Sequence, residues 1–406
     1  MSRKRLLKGA FALSVAALLG LVSLLTFLWV EHNTHLTLPA PSGPFVVSRV
    51  TETWTDDHRA DPLVEAPGRR TELVVWIWYP STRSPNQKPA EYLPADWRRE
   101  LARRQGVLLS TFLTRDLSLV YPHSVIDGTL SPEQSHYPVV ILRAGLGALT
   151  TQYTTLAEDI ASHGYVVVGF DAPYRTVIVV FPDGRVVTRP SNLNPENLKG
   201  DAQERLITRL LAAWVGDIGF VVDRLEQLNA SASSRFGGRL DLQKVGVVGH
   251  SLGGASAAQF CHRDSRCGAG IDIDGALHGS VVRDGLQRPF MFLLSDHGDK
   301  LDPAERQIVA NIRAVYDRLP LRSRMGLLIR GANHFSSSDQ LLIRSQAVVR
   351  MLRMAGTLKL EPRRGLIVTG ESVRHFLDVH LKGAPAESLR DLSRTYPELQ
   401  SEPFHQ

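Results

Sequence analysis

The chain has 406 residues, of which 43% are hydrophobic and 22% charged, with two cysteines and a formal charge of +6. This composition excludes a mainly disordered chain, a collagen and a polytopic membrane protein, and two cysteines are too few for a disulfide scaffold or a four-cysteine zinc site. Four of the 47 basic residues (Arg3, Lys4, Arg5 and Lys8) precede the first acid, Glu31, so the surplus sits mainly at the N-terminal tip and gives no argument for nucleic acid as a partner.

No charge interrupts the run from Gly9 to Val30. As a helix it spans about 30 Å, the thickness of a bilayer core. The basic cluster before it places residues 1–8 in the cytoplasm, 9–30 across the membrane as a retained signal anchor, and the rest outside the cytoplasm. Trp29 stands at the far end, where an interfacial aromatic belongs. A cleaved signal peptide is the alternative, but its apolar core is usually about 7–15 residues long, and TFLWVEHNTH offers no Ala-x-Ala. Residues 31–44, containing LTLPAPSGP, read as a short linker, 45–383 as one catalytic domain and 384–406 as a C-terminal tail.

Within the domain, 45–54 and 70–80 predict an antiparallel pair, with Trp76 and Trp78 on one face and Ile77 on the other. A charged amphipathic segment covers 91–119. PVVILRAG at 138–145 is a strand buried on both faces, a helix over 149–163 ends at Gly164, and YVVVGFDAP at 165–173 is the next strand. Residues 176–189 have a hairpin pattern with Asp183-Gly184 at the turn. A long helix fits 201–229. Strands follow at 244–250, 269–275, 289–296 and 325–331, and a helix at 370–382 closes the domain. Strands alternating with helices imply an α/β fold, with a mostly parallel sheet covered on both faces.

Gly249-His250-Ser251-Leu252-Gly253 matches G-x-S-x-G between a buried strand and a helix opened by small residues. That context suits a serine at a strained apex, at a helix N-terminus whose dipole favours a developing anion. A helix-capping serine is the plainer reading. A nucleophilic serine needs a base, and His334, on the loop after the last parallel strand, has the chain order for it. His250 lies inside the elbow and is expected to point away from the nucleophile. His262, His278, His297, His375 and His380 fit the base role less well. The acid is less defined. Asp274 ends the first strand after the nucleophile helix and Asp296 ends the next, and spacing alone favours Asp296. Asp272 is expected on the same side of its strand as Asp274, deeper in, and Asp299 and Asp302 read as loop or helix-cap residues.

GHSLGGASAAQFCHRDSRCGAGIDIDGALHG, RGANHFSSSD and LRAGLGALTTQYTTLAEDIASHGYVVVGFDAP together resemble the plasma-type (group VII) platelet-activating factor acetylhydrolases and their bacterial relatives. The resemblance runs from about the 70–80 strand to the closing helix and implies an α/β-hydrolase fold. It carries the acid onto Asp274, in preference to Asp296, and the base onto His334. It carries the oxyanion-hole amides onto Leu146 and Leu252. Two features depart from the family pattern: Ala144 stands where many members have histidine, and DAPYR follows YVVVGF.

The expectation is a serine esterase that uses no metal or organic cofactor and acts on short or oxidised acyl chains of phospholipid-like substrates. A broad carboxylesterase or polyester hydrolase of the same fold is the rival enzyme. A membrane-tethered binding protein on a retired scaffold is the non-catalytic one. Export also bears on Cys261 and Cys267, six residues apart at a helix end, which outside the cytoplasm can close a small loop as a disulfide. Two buried free thiols are the alternative.

Overall fold

The apolar runs assemble into one ten-stranded sheet in the computed structural model, which describes residues 3–64, 70–84, 87–298, 301–401 and 404. The main strands are β1 (Val46–Ala60), β2 (Arg70–Ser81), β3 (Tyr137–Arg143), β4 (Val166–Asp171), β5 (Leu240–His250), β6 (Cys267–Ile273), β7 (Phe290–Ser295), β8 (Arg324–Ile329) and β9 (Leu399–Ser401). Across the sheet they run β9-β8-β7-β6-β5-β3-β4-β2-β1, with Val125–Ile126 beside β1 at the edge. Strands β3 to β8 pair in parallel, while β2 is antiparallel to β1 and β4, and β9 to β8.

The main helices are α1 (Arg3–His32), α2 (Ala95–Val107), α3 (Thr154–Ser162), α4 (Gly200–Ala230), α5 (Leu252–Arg263), α6 (Pro303–Arg318), α7 (Gln346–Met354) and α8 (Pro362–Lys382). Alternation along each strand divides the core into two layers. Trp76, Trp78, Val140 and Leu142 pack with α2, α3 and α8 on one face. Val75, Ile77, Val139 and Ile141 pack with α4, α5 and α6 on the other. This is the mixed α/β architecture read from the sequence. The parallel strands place the C-terminal ends of β3, β5, β6, β7 and β8 at one rim, where open α/β sheets hold their ligand sites.

Three segments differ from their sequence reading. Helix α8 starts at Pro362 rather than at 370: Pro takes a first-turn position and the Glu361 carboxylate accepts from Arg364 N–H. Gly365 and Gly370, weak helix formers, hide this start in the sequence. Residues 31–44 lie along the domain, with Leu36 and Leu38 buried and Leu36–Thr37 paired to Val120–Tyr121. The tail turns back to add β9, and buries Leu392, Leu399 and Phe404.

Helix α1 contains a 26-residue stretch, Leu7–His32, that is long and apolar enough to cross a membrane. Its foot is attached to the domain. Glu31 Oε1 accepts from Gln346 N at 2.6 Å, and His32 Nδ1 lies 2.8 Å from the Thr114 carbonyl oxygen.

Candidate active site

Between β5 and α5 the chain turns on one residue, Ser251, with φ 57° and ψ −127°. A non-glycine residue in this region costs on the order of 1–3 kcal/mol and persists only where its surroundings enforce it. Here the Ser251 N–H donates to the Ile273 carbonyl at 2.9 Å, and its carbonyl accepts from Gly254 N at 2.9 Å. Glycine is required on both sides of the turn. A Cβ on Gly249 would meet the Gly253 backbone at 2.1 Å, and one on Gly254 would lie 1.8 Å from Asp272 Oδ1.

Asp274 follows β6 with φ 53° and is fixed by its N–H to the Leu293 carbonyl at 2.9 Å. Its Oδ2 lies 2.7 Å from His334 Nδ1, and its Oδ1 accepts from Ser295 N at 2.9 Å and meets His297 Nε2 at 3.0 Å. Burial alone would raise its pKa, but the bonds from His297 and His334 outweigh burial and hold the carboxyl below the ordinary range. The strand alternation ends at Ile273, so Asp272 and Asp274 part company. Asp272 is fully buried beneath the elbow, accepts from Gly275 N at 2.9 Å, and is held well above the usual carboxylate range by burial and the nearby Asp274.

Asp296 goes to the backbone instead. Its Oδ2 accepts from Gly331 N at 2.8 Å and its Oδ1 from Gly298 N at 3.1 Å. Its own N–H donates to the Ala332 carbonyl at 3.0 Å, so it ties down the loop that carries His334. Asp302 caps α6, accepting from Glu305 N at 2.9 Å, and Asp299 lies outside the described residues.

His250 has a use that its place in the motif did not reveal. Its Nε2 lies 2.7 Å from the His334 carbonyl oxygen, and its Nδ1 lies 2.7 Å from Tyr153 Oη. A carbonyl only accepts, so Nε2 carries the proton and Nδ1 accepts from the tyrosine hydroxyl. Burial, with the neighbouring His334, pushes the His250 pKa down to about 3, which keeps this ring neutral. The two imidazoles lie against each other at a tilt of 44°, with centroids 4.4 Å apart. His250 and Tyr153 therefore support His334 from beneath. The side-chain hydrogen bond of His334 goes to Asp274. No hydrogen bond joins Ser251 Oγ to His334 in this structure.

His297, also passed over in the sequence, is a second imidazole on the same carboxylate. Its hydrogen bond to Asp274 raises its pKa above the ordinary histidine value, assisted at longer range by Glu305 and Asp296. A raised folded-state pKa stabilises the protein at low pH, and that contribution is lost as pH rises through the folded value. The melting-temperature advantage of wild type over His297→Gln should therefore be largest near pH 5 and shrink toward pH 8. An advantage that grows with pH would contradict this reading.

On the other side of the serine runs Gly145-Leu146-Gly147. A Cβ on Gly145 would lie 3.2 Å from Ser251 Cβ, so this backbone passes directly beside Ser251. Gly147 N donates to the Arg175 carbonyl at 2.9 Å, and the Gly147 carbonyl accepts from Val177 N at 3.1 Å. Among the described residues, no acceptor within hydrogen-bond distance takes the Leu146 or Leu252 N–H. The DAPYR segment thus props the loop, and Arg175 anchors it. Arg175 is 1% exposed and pairs with Asp61 and, at 2.9 Å, with Asp217.

Cys261 and Cys267 form a disulfide that closes the loop from α5 into β6, the strand leading to Asp274. A loop this short should contribute about 2–3 kcal/mol by the chain-entropy relation. The Cys261→Ser/Cys267→Ser double variant should show that loss in urea unfolding, and native wild type should take up no thiol reagent before reduction.

A family model described as platelet-activating factor acetylhydrolase, isoform II, matches residues 31–178 and 217–387. The chain belongs to this family. A platelet-activating factor acetylhydrolase from Cavia porcellus is 25% identical over 357 residues, 82% of this chain and 76% of the relative. A probable 1-alkyl-2-acetylglycerophosphocholine esterase from Arthroderma benhamiae is 29% identical over 267 residues, 61% of each chain. Among solved structures, a ferulic acid esterase from Streptomyces cinnamoneus superposes with a TM-score of 0.73 at 26% identity, covering 91% of this chain and all of that one. The platelet-activating factor acetylhydrolase family member described here is accordingly a carboxylic ester hydrolase of the serine-esterase kind, on an α/β-hydrolase fold.

Proposed function

We propose that Ser251 is the nucleophile, His334 its general base and Asp274 the group that orients His334. Ser251 Oγ attacks the ester carbonyl while His334 Nε2 takes its proton. Asp274 holds the imidazole by Nδ1 and stabilises its charged form. The Leu146 and Leu252 amides stabilise the tetrahedral oxyanion, each contributing roughly 3 kcal/mol in comparable sites. The alcohol leaves with the proton returned by His334, and water then releases the acyl group. The observation that carries this assignment is the 2.7 Å bond between Asp274 and His334 beside a serine held in a strained turn.

The names of the relatives support a phospholipid-like ester with a short acyl chain; the reading extends to oxidised chains, met at a bilayer by an enzyme anchored through the long apolar helix α1 with its catalytic domain outside the cytoplasm. The fold neighbour, a ferulic acid esterase, supports a second reading, a broader esterase for aryl or polymer esters. A fluorophosphonate probe should modify one peptide, containing Ser251, as located by mass spectrometry. Turnover of sn-2-acetyl and sn-2-oxidised phospholipids should exceed that of feruloyl esters. Modification elsewhere would overturn the site, and the reverse substrate preference would favour the second reading. The N-terminus of the mature protein, read by sequencing, should include residues 1–30; a start beyond Val30 would identify a cleaved signal peptide.

A further inference from the structure

Arg189 follows the hairpin formed by Ile178–Val180 and Val186–Thr188, and its guanidinium lies against the loop beside Ser251. A Cβ built on Gly147 would be 3.2 Å from Arg189 Nη2 and 3.4 Å from Cζ. Gly147 is one Cα step, about 3.8 Å, from Leu146. The charge therefore stands next to the proposed oxyanion donor.

Among the described residues no carboxylate comes within 4.0 Å of this guanidinium, and its Nη1 is buried without a hydrogen-bond partner. The second charge close by has the same sign: Arg104 Nη2 donates to the Arg189 carbonyl at 3.0 Å. Burial and the field of Arg104 both lower the Arg189 pKa, and Glu196, the carboxylate that acts on it, only partly offsets them. An unpaired, partly desolvated arginine beside another arginine is costly in an isolated protein. An incoming anion removes that cost, and the planar guanidinium suits phosphate or carboxylate oxygens.

The adjoining surface extends the argument. A cleft of about 510 Å³ begins at Pro190 and is lined by Tyr174, Leu193 and Leu198, with Arg205 and Arg209 among its other walls. Leu146 and Leu252 pack against a hydrophobic cluster that includes Leu193 and Leu206, two residues of the cleft wall. The cleft and the loops that carry the proposed oxyanion amides thus share one apolar cluster, and the cleft has basic residues in its wall.

We propose that Arg189, backed by Arg104, is a subsite for an anionic oxygen group carried by the ester substrate, either a phosphate on the leaving alcohol or a carboxylate on the acyl chain. The inference rests on the serine-esterase site assigned above, and it narrows the substrate to anionic esters.

The test uses full-length protein in detergent and three esters: neutral 4-nitrophenyl acetate, the carboxylate-bearing mono-4-nitrophenyl glutarate, and an sn-2-acetyl glycerophosphocholine. In Arg189→Gln, the ratio of kcat/KM on an anionic ester to that on the neutral ester should fall about 10- to 100-fold, the scale of a lost charge-assisted bond. The fall should lie mainly in KM, with partial recovery in Arg189→Lys. A fall for the phospholipid assigns the subsite to phosphate, and a fall for the glutarate assigns it to carboxylate. An unchanged ratio for both overturns the proposal, whether or not total activity drops, because a merely structural arginine moves all three esters together. Calorimetric titration with inorganic phosphate and glutarate gives an answer that does not depend on turnover. Weaker binding in Arg189→Gln than in wild type supports the subsite even if the nucleophile assignment fails, and equal binding overturns it.

Discussion

Asp274→Asn should lower kcat by up to about 10⁴-fold while leaving the fold intact, the scale of the comparable change in a well-studied serine protease triad. The reason is tautomeric. Asp274 Oδ2 accepts from His334 Nδ1, which leaves Nε2 unprotonated for the proposed transfer from Ser251. An asparagine that offers its NH2 to Nδ1 requires the proton on Nε2, and the base is lost. Asp296→Asn should act differently. Its carboxylate receives the Gly331 and Gly298 amides, so the change weakens the His334 loop and leaves the imidazole tautomer alone. Activity should then stay within about tenfold of wild type, with a stability cost of about 1–3 kcal/mol. Steady-state kinetics at several pH values will separate the two. A crippled Asp296→Asn beside a near-normal Asp274→Asn would move the acid to the neighbouring strand and leave Ser251 and His334 in place.

Arg175→Met should be among the most destabilising single substitutions in the domain, by about 3–5 kcal/mol in urea unfolding, the usual cost of stranding a buried ion. The two carboxylates fare unequally. Asp217 keeps Arg59, which reaches its Oδ1 at 2.7 Å, whereas among the described residues Asp61 retains only the Leu63 amide at 3.0 Å. Adding Asp61→Asn to Arg175→Met should therefore recover part of the loss, more than Asp217→Asn does. The Arg175 carbonyl also receives Gly147 N, so the Met variant should lose esterase activity before it loses its secondary structure on heating. Equal stability of wild type and Arg175→Met would show that the network is replaceable by packing alone.

The parts of this molecule legible in the sequence are those written locally. The elbow needs small residues at fixed offsets around Ser251, and the buried strands are continuous apolar runs, so both can be read within a dozen residues. The acid could not be chosen by pattern, because Asp274 and Asp296 both end apolar strands. What distinguishes them is the left-handed turn at Asp274 and contacts to His334 and His297, 60 and 23 residues away. The brace beneath His334 joins Tyr153 to His250 across 97 residues and His250 to His334 across 84, distances no periodicity spans. DAPYR looked only like a departure from the family pattern. Its meaning lies in Asp61 and Asp217, which reach it from other elements. Strand β9 is three residues long, too short to leave an alternation that could be read.

The clasp at the foot of α1 fixes a geometry. Glu31 is 8% exposed, bonded to the start of α7 and 3.8 Å from Arg115, while His32 reaches Thr114. If α1 stands in a bilayer as proposed, it is a post and not a leash. A tether of free chain would let the domain roll and sweep a hemisphere of solution. A post gives every molecule the same side toward the lipid and the same height above it, and confines its search to two dimensions. An ester lodged in the same leaflet then reaches the enzyme by sliding sideways, at a local concentration set by the area of the membrane and not by the volume of the compartment.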